Sequence, residues 1–305
     1  MRVKQSIPGH PTPLRRGERA AEALHRMLAE QFDIVLDNVP IARRGSVQAL
    51  HDLRVALRRM RTLAAVFDPV DPSFLRSLDR RAAKECDRMG DARDLDVWIA
   101  LFGDLEKAGG LKGMPRGDRQ GVVQELQRER TRLAARALSG STFKRIQRML
   151  WEYLRQPAQS RPRPSPPPDV LAARRILVVR KKIAKRHAQA GRYSSRPAHA
   201  LRRSGRRMRY LSEFFAPQMG PAAQRAGRWI TKAQAALGKV HDCDNALELS
   251  RELPGNHARA EVRRGLKKRR VAQLAKFKAA WQHYADPRLQ QAWLKQLETL
   301  AAHSG

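Results

Sequence analysis

The sequence predicts an all-α protein, and three observations carry that expectation. Long stretches of good helix formers place apolar residues at helical spacing. Alternation of the strand kind is hard to find. One helical pattern, together with the segment downstream of it, occurs twice at a constant interval.

Taken in order, residues 1–13 carry Pro8, Pro11 and Pro13 and no apolar leader region, so they read as a flexible tail. Residues 14–156 read as a first helical half. Residues 157–168 hold Pro157, Pro162, Pro164, Pro166, Pro167 and Pro168 among Arg and Ser, the composition of a stiff linker. Residues 169–305 read as a second helical half.

Hydrophobic residues make up 42% of the 305 residues, enough for a folded core. Lys and Arg number 62 against 29 Asp and Glu, a formal net charge of +33. Carboxylates cannot neutralise that excess internally, so it implies an anionic partner. Aromatic residues are only 6%, few rings on which to stack single-stranded bases. Cys86 and Cys243 lack metal or redox spacing and read as reduced, buried thiols. No window has the length of a membrane span. A soluble, cytoplasmic protein is expected.

Residues 48–69, QALHDLRVALRRMRTLAAVFDP, align without gaps on residues 196–217, RPAHALRRSGRRMRYLSEFFAP. His51 pairs with His199, Arg54 with Arg202, Arg58 with Arg206, Arg61 with Arg209 and Phe67 with Phe215. The interval continues downstream. Arg80 and Lys84 meet Arg228 and Lys232, and GDARDLD (from Gly90) meets GKVHDCD (from Gly238). One register kept so far indicates a tandem duplication.

On a helical wheel, Leu53, Ala56, Leu57, Met60, Leu63, Ala64 and Phe67 form one arc, the expected core stripe. His51, Arg54, Arg58 and Arg61 form a separate narrow ridge. The second copy repeats this, with Leu201, Met208, Leu211 and Phe215 inward and His199, Arg202, Arg206 and Arg209 aligned. Like charges at i+3 and i+4 repel, and almost no acidic residue shares the ridge. A ridge of one sign, present twice, favours a ligand-binding role. The alternative is that neighbouring carboxylates, Asp94, Asp96, Asp242 and Asp244 above all, take these arginines. Two further clusters, Arg174 to Arg186 and Lys267 to Lys278, run around their helices, and the pattern leaves them unassigned.

The paired motifs HDLRVALRRMRTLAAVF and HALRRSGRRMRYLSEFF, each followed by G-x-x-[RH]-D-x-D, resemble those of the CHAD family, the conserved histidine α-helical domain. The resemblance covers 14–305. It implies two helical bundles related by a pseudo-twofold axis, with a basic cleft or pore between them. It also implies binding of inorganic polyphosphate and association with polyphosphate granules. Matching positions are His51, Arg54, Arg58, Arg61, Arg80 and Lys84, then His199, Arg202, Arg206, Arg209, Arg228 and Lys232. Among the departures from symmetry, Arg203 stands opposite Val55, and His241 opposite Arg93.

These residue types suit a phosphate chain. Arginine offers a permanently charged two-pronged donor, lysine a compact mobile charge, and a histidine beside dense phosphate has its charged form favoured. Two other readings compete. A nucleic-acid-binding protein could use the same basic surface, and +33 guarantees nonspecific affinity at low salt. The dipeptides His51-Asp52 and His241-Asp242 resemble those of helical metal-dependent phosphohydrolases, but they occupy non-equivalent places in the two copies. No catalytic residue, metal, cofactor or membrane attachment is assigned from sequence, and protein partners are left open.

Overall fold

A computed structural model describes residues 12–15, 17–109, 111–158, 165–191, 193–253 and 255–302. Most of the expected tail (1–11) and the middle of the expected linker (159–164) lie outside the described residues. Eleven α-helices and no strand occur among the described residues. They are α1 (Ala20–Arg43), α2 (Val47–Val66), α3 (Pro72–Arg88), α4 (Gly90–Lys107), α5 (Arg116–Leu138) and α6 (Ser141–Arg155), then α7 (Pro168–Ala188), α8 (Ser195–Phe215), α9 (Pro221–Leu249), α10 (Asn256–Tyr284) and α11 (Pro287–Ala302). No helix among them is long and apolar enough to cross a membrane.

The helix starts follow from local chemistry. Ser46 Oγ accepts from the Ala49 N–H at the start of α2, and Asp71 Oδ1 accepts from the Phe74 N–H at the start of α3. Pro72, Pro168 and Pro221 sit in the first turns of α3, α7 and α9, where a missing N–H costs nothing.

The expected core stripe is inside. Leu53, Ala56, Leu57, Met60, Leu63, Ala64 and Phe67 are buried, as are Leu201, Met208, Leu211 and Phe215. Cys86 and Cys243 are free and buried. A main core runs through both halves, from Leu24 and Leu28 of α1 to Trp293 and Leu297 of α11. A smaller core gathers Trp98, Phe102, Leu105, Leu253, Val262 and Leu266 where α4 meets α9 and α10.

Helix starts in the two halves recur at the interval separating His51 from His199: α1 with α7, α2 with α8. Phe67 and its sequence counterpart Phe215 meet across the junction, their rings tilted by 54° with centroids 6.2 Å apart. The halves differ at one point. The chain breaks between α3 and α4 at Met89, whereas α9 runs unbroken through the matching Leu237 and Gly238.

Two of the four aspartates in the repeated GxxxDxD run are braces. Asp96 Oδ1 accepts from Arg130 Nε at 2.8 Å, and the same guanidinium donates to the Gly45 carbonyl at 2.9 Å. Asp244 Oδ1 accepts from Arg270 Nε at 2.6 Å, and Arg270 donates to the Tyr193 carbonyl at 2.8 Å. Asp96 and Arg130 are both buried. Asp96→Ala strands the Arg130 charge and should destabilise the fold by about 3 kcal/mol. Urea denaturation of the variant checks it, with Asp94→Ala, whose carboxylate is exposed, expected to cost far less.

Candidate functional site

Helices α2 and α8 carry the two basic ridges, and they cross with those ridges toward one another. The reason is the core: Leu53, Leu57, Met60 and Leu63 face one way, which fixes where Arg54, Arg58 and Arg61 face. Arg58 is among the charges that hold down the pKa of Arg54, Arg202 and Arg206, so the two ridges form one cluster.

The partners of these arginines differ. Arg54 is buried and donates through Nη1 to the carbonyls of Met89 at 2.9 Å and Gly90 at 3.3 Å. The Met89 carbonyl, at the break between α3 and α4, also accepts from the Arg93 N–H at 3.3 Å. Arg202 faces the unbroken α9 and donates to no such carbonyl among the described residues; Asp242 Oδ1 is 4.0 Å from it. Arg61 Nε donates to Asp79 Oδ1 at 2.7 Å, and Arg209 lies 3.1 Å from Glu213 Oε1. Glu213 also accepts from Arg59 at 2.9 Å. Among the described residues no hydrogen bond or ion pair reaches the guanidinium of Arg58 or of Arg206.

Burial and like charge outweigh the groups that favour the charged form, Asp94 beside Arg54 and Tyr210 beside Arg206. Burial first, then Arg58, pushes the Arg206 guanidinium down to about 9. Burial, with Arg58 as the next cause, brings Arg54 to about 10. The histidines respond in the same sense. Burial and then Arg93 lower His51 to about 4; burial and then Arg202 lower His241 to about 3; burial and then Arg203 lower His199. His199 and His241 are ring neighbours, with centroids 4.8 Å apart. All three rings are neutral at pH 7 in the free protein. Asp94 and Asp242 lie by the same arginines, yet their surroundings raise both carboxyls. Burial is the leading cause at both, and the nearby arginines offset it in part.

Beside the crossing lies a cavity of about 450 Å³ between α2, α3, α7 and α8. Its cations are Arg58 and Arg61 from α2, Arg175, Lys182 and Arg186 from α7, and Arg203, Arg206 and Arg207 from α8. Asp79 and Asp87 of α3 are its carboxylates, and Tyr210 completes the polar wall.

The sequence-predicted residues thus separate into groups. Arg58, Arg61 and Arg206 line the cavity. His51, Arg54, His199 and Arg202 belong to the adjoining crossing, linked to it electrostatically. Arg209 is taken up by Glu213. Arg80 and Lys84 are exposed on α3 next to the lining positions 79, 83 and 87. Arg228 and Lys232 are exposed on α9, with Lys232 Nζ 4.4 Å from the Trp229 ring centre. The structure does not bring these four into the cavity. It adds Arg175, Lys182, Arg186, Arg203 and Arg207. The α7 members were legible only as three cations at i, i+7 and i+11, hidden among others. Arg174 and Arg180 of that cluster point elsewhere, to the Ala301 carbonyl and to Gln290 on the α11 side.

A CHAD domain profile matches residues 26–251, three-quarters of the chain and both repeated motifs. The chain belongs to the CHAD family. Among solved structures it is similar to the CHAD domain from the plant Ricinus communis, at 21% identity with 97% of each chain covered and a TM-score of 0.66. It is also similar to PptA from Streptomyces chartreusis, at 16% identity, covering 90% of this chain and 99% of that one, with a TM-score of 0.59. Both likenesses are of fold. No curated protein sequence matches the chain.

Removing one of the uncompensated cations relieves repulsion. Arg206→Met keeps the side chain's bulk and should raise the stability of the free protein by about 1 kcal/mol. Thermal unfolding without ligand measures this; a loss of stability would show that Arg206 has an internal partner.

Proposed function

We propose that this protein binds inorganic polyphosphate at the α2–α8 crossing and the adjoining cavity, and that it associates with polyphosphate granules through that binding. The observation that carries the reading is the pair Arg58 and Arg206: partly enclosed, like-charged, and without internal partners for their guanidiniums. Such an arrangement is unfavourable in the empty protein and favourable once an anion lies between the two guanidiniums. A phosphate chain presents a dense row of oxygen acceptors and no bases, which matches a site rich in forked donors and poor in rings. Duplex nucleic acid is far too bulky for a 450 Å³ cavity, so its contacts are confined to the outer basic surface.

The reading includes no catalytic step. The dominant side chains are arginines, which hold their protons at neutral pH and so donate hydrogen bonds without serving as bases. Among the described residues no group of three His, Cys, Asp or Glu is placed to hold a metal ion. The dipeptide His241-Asp242 instead has its ring against His199 and its carboxylate toward Arg202.

Two measurements test the reading. Labelled long-chain polyphosphate is titrated at near-physiological salt against equal phosphate concentrations of RNA, duplex DNA and orthophosphate. Polyphosphate should win, and Arg58→Ala with Arg206→Ala should weaken it by roughly tenfold or more per arginine while leaving the protein folded. Equal competition by RNA, or normal binding by the double variant, refutes the site. The second measurement concerns protons. His51 is held neutral by its pKa of about 4, and phosphate close by raises that value toward the assay pH. Binding should therefore take up protons and strengthen as pH falls from about 7.5 to 5.5. Calorimetry in buffers of different ionisation heat reads the uptake, and its absence would mean the histidines stay neutral in the complex.

A further inference from the structure

The two halves of the duplication are not electrically equivalent, and the difference lies in their first helices. Helices α1 and α7 begin at Ala20 and Pro168, and the interval is the one that relates the two ridges. The register is confirmed by packing, since Leu24, Leu28 and Val35 match Ala172, Ile176 and Ile183, all buried. The cavity-facing row of α7 is Arg175, Val179, Lys182 and Arg186. At the matching positions α1 has Met27, Gln31, Ile34 and Asn38, with Met27 and Gln31 fully inside. The flanking positions reverse sign: Asp33 and Asp37 of α1 stand where α7 has Lys181 and Lys185.

The second ridge is also closed where the first is open. Glu213 of α8 pairs with both Arg59 and Arg209, while α2 has Ala65 at the matching position, in the cavity wall. No hydrogen bond or ion pair among the described residues occupies the side chain of Arg175, Lys182 or Arg186. Arg175 lies near enough to Arg207, across the cavity, to help lower its pKa.

We propose that the site is one-sided. A phosphate chain extends from the α2–α8 crossing only over the α7 face, with Arg175, Lys182 and Arg186 as its outer wall. The acidic α1 face repels it, so each protein chain has one oligophosphate site rather than the two that its duplication suggests. This rests on the polyphosphate reading above.

The test uses the full chain and two variants of equal charge change. One is Arg175→Ala, Lys182→Ala and Arg186→Ala. The other is Lys144→Ala, Arg148→Ala and Arg155→Ala, three exposed cations of α6 outside the cavity. At about 0.15 M salt the α7 variant should bind long-chain polyphosphate at least tenfold more weakly, and its salt dependence should be shallower by about three charges. The α6 variant should stay within about twofold. Tripolyphosphate should titrate to one equivalent per chain. Equal losses in the two variants, an unaffected α7 variant, two equivalents, or no tripolyphosphate binding would each overturn one-sidedness while leaving long-chain binding intact. Failure of the unaltered protein to bind long chains removes the underlying reading instead.

Discussion

The constraint on which this structure depends is that the core and the basic ridges occupy the same two helices. Each of α2 and α8 buries one face, and every large apolar side chain there contributes roughly 1.5–3 kcal/mol to folding. Repulsion between neighbouring arginines is smaller, a few tenths of a kcal/mol per exposed pair and more where the pair is enclosed. Packing therefore sets the rotation of both helices, and the arginines are carried into mutual proximity against their own electrostatics. Arg206, lowered to about 9, marks where that conflict is concentrated.

The aspartates show how the fold limits the conflict without removing it. Asp96 and Asp244 are held by Arg130 and Arg270, which lie outside the ridges, and these pairs fasten α4 to α5 and α9 to α10. Asp94 and Asp242 stay near the crossing but make no close pair with a ridge arginine; Asp94 accepts instead from Asn245 at 3.3 Å. Arg54 is steadied by carbonyl dipoles at the Met89 break, a weaker counterweight than a carboxylate. Positive potential is thus retained at the crossing, while the helices around it are tied down.

Much of this was legible in the sequence. The repeated ridge and the apolar stripe depend only on helical periodicity, so the fold class, the buried set and the placing of one basic ridge on each of α2 and α8 could be read from spacing. Spacing could not give which residues of one helix face another. Arg80, Lys84, Arg228 and Lys232 repeat as faithfully as Arg58 and Arg206, yet they are exposed outside the cavity, because a repeated spacing does not tell an outward face from an inward one. Conversely Arg175, Lys182 and Arg186 have no counterpart in the first half, so a search for repeats passes over them. Arg203 was visible as a basic residue opposite apolar Val55, but what it faces across the cavity depends on how α7 packs.

That same asymmetry bears on why the net charge of +33 is informative at all. At physiological ionic strength exposed charges are screened beyond about 8 Å, so most of the basic surface gives weak attraction to any polyanion. Enclosed cations are screened less, and their field is concentrated by the low-dielectric walls around them. Selectivity must then reside where cations are both enclosed and unpaired. By those two criteria Arg58 and Arg206 at the crossing qualify, whereas Arg61, Arg209 and Arg270 are paired and Arg80 and Lys84 are exposed. On the proposed reading, the wide basic surface gathers polyanions and the small cavity selects among them by admitting only a chain thin enough to lie between helices.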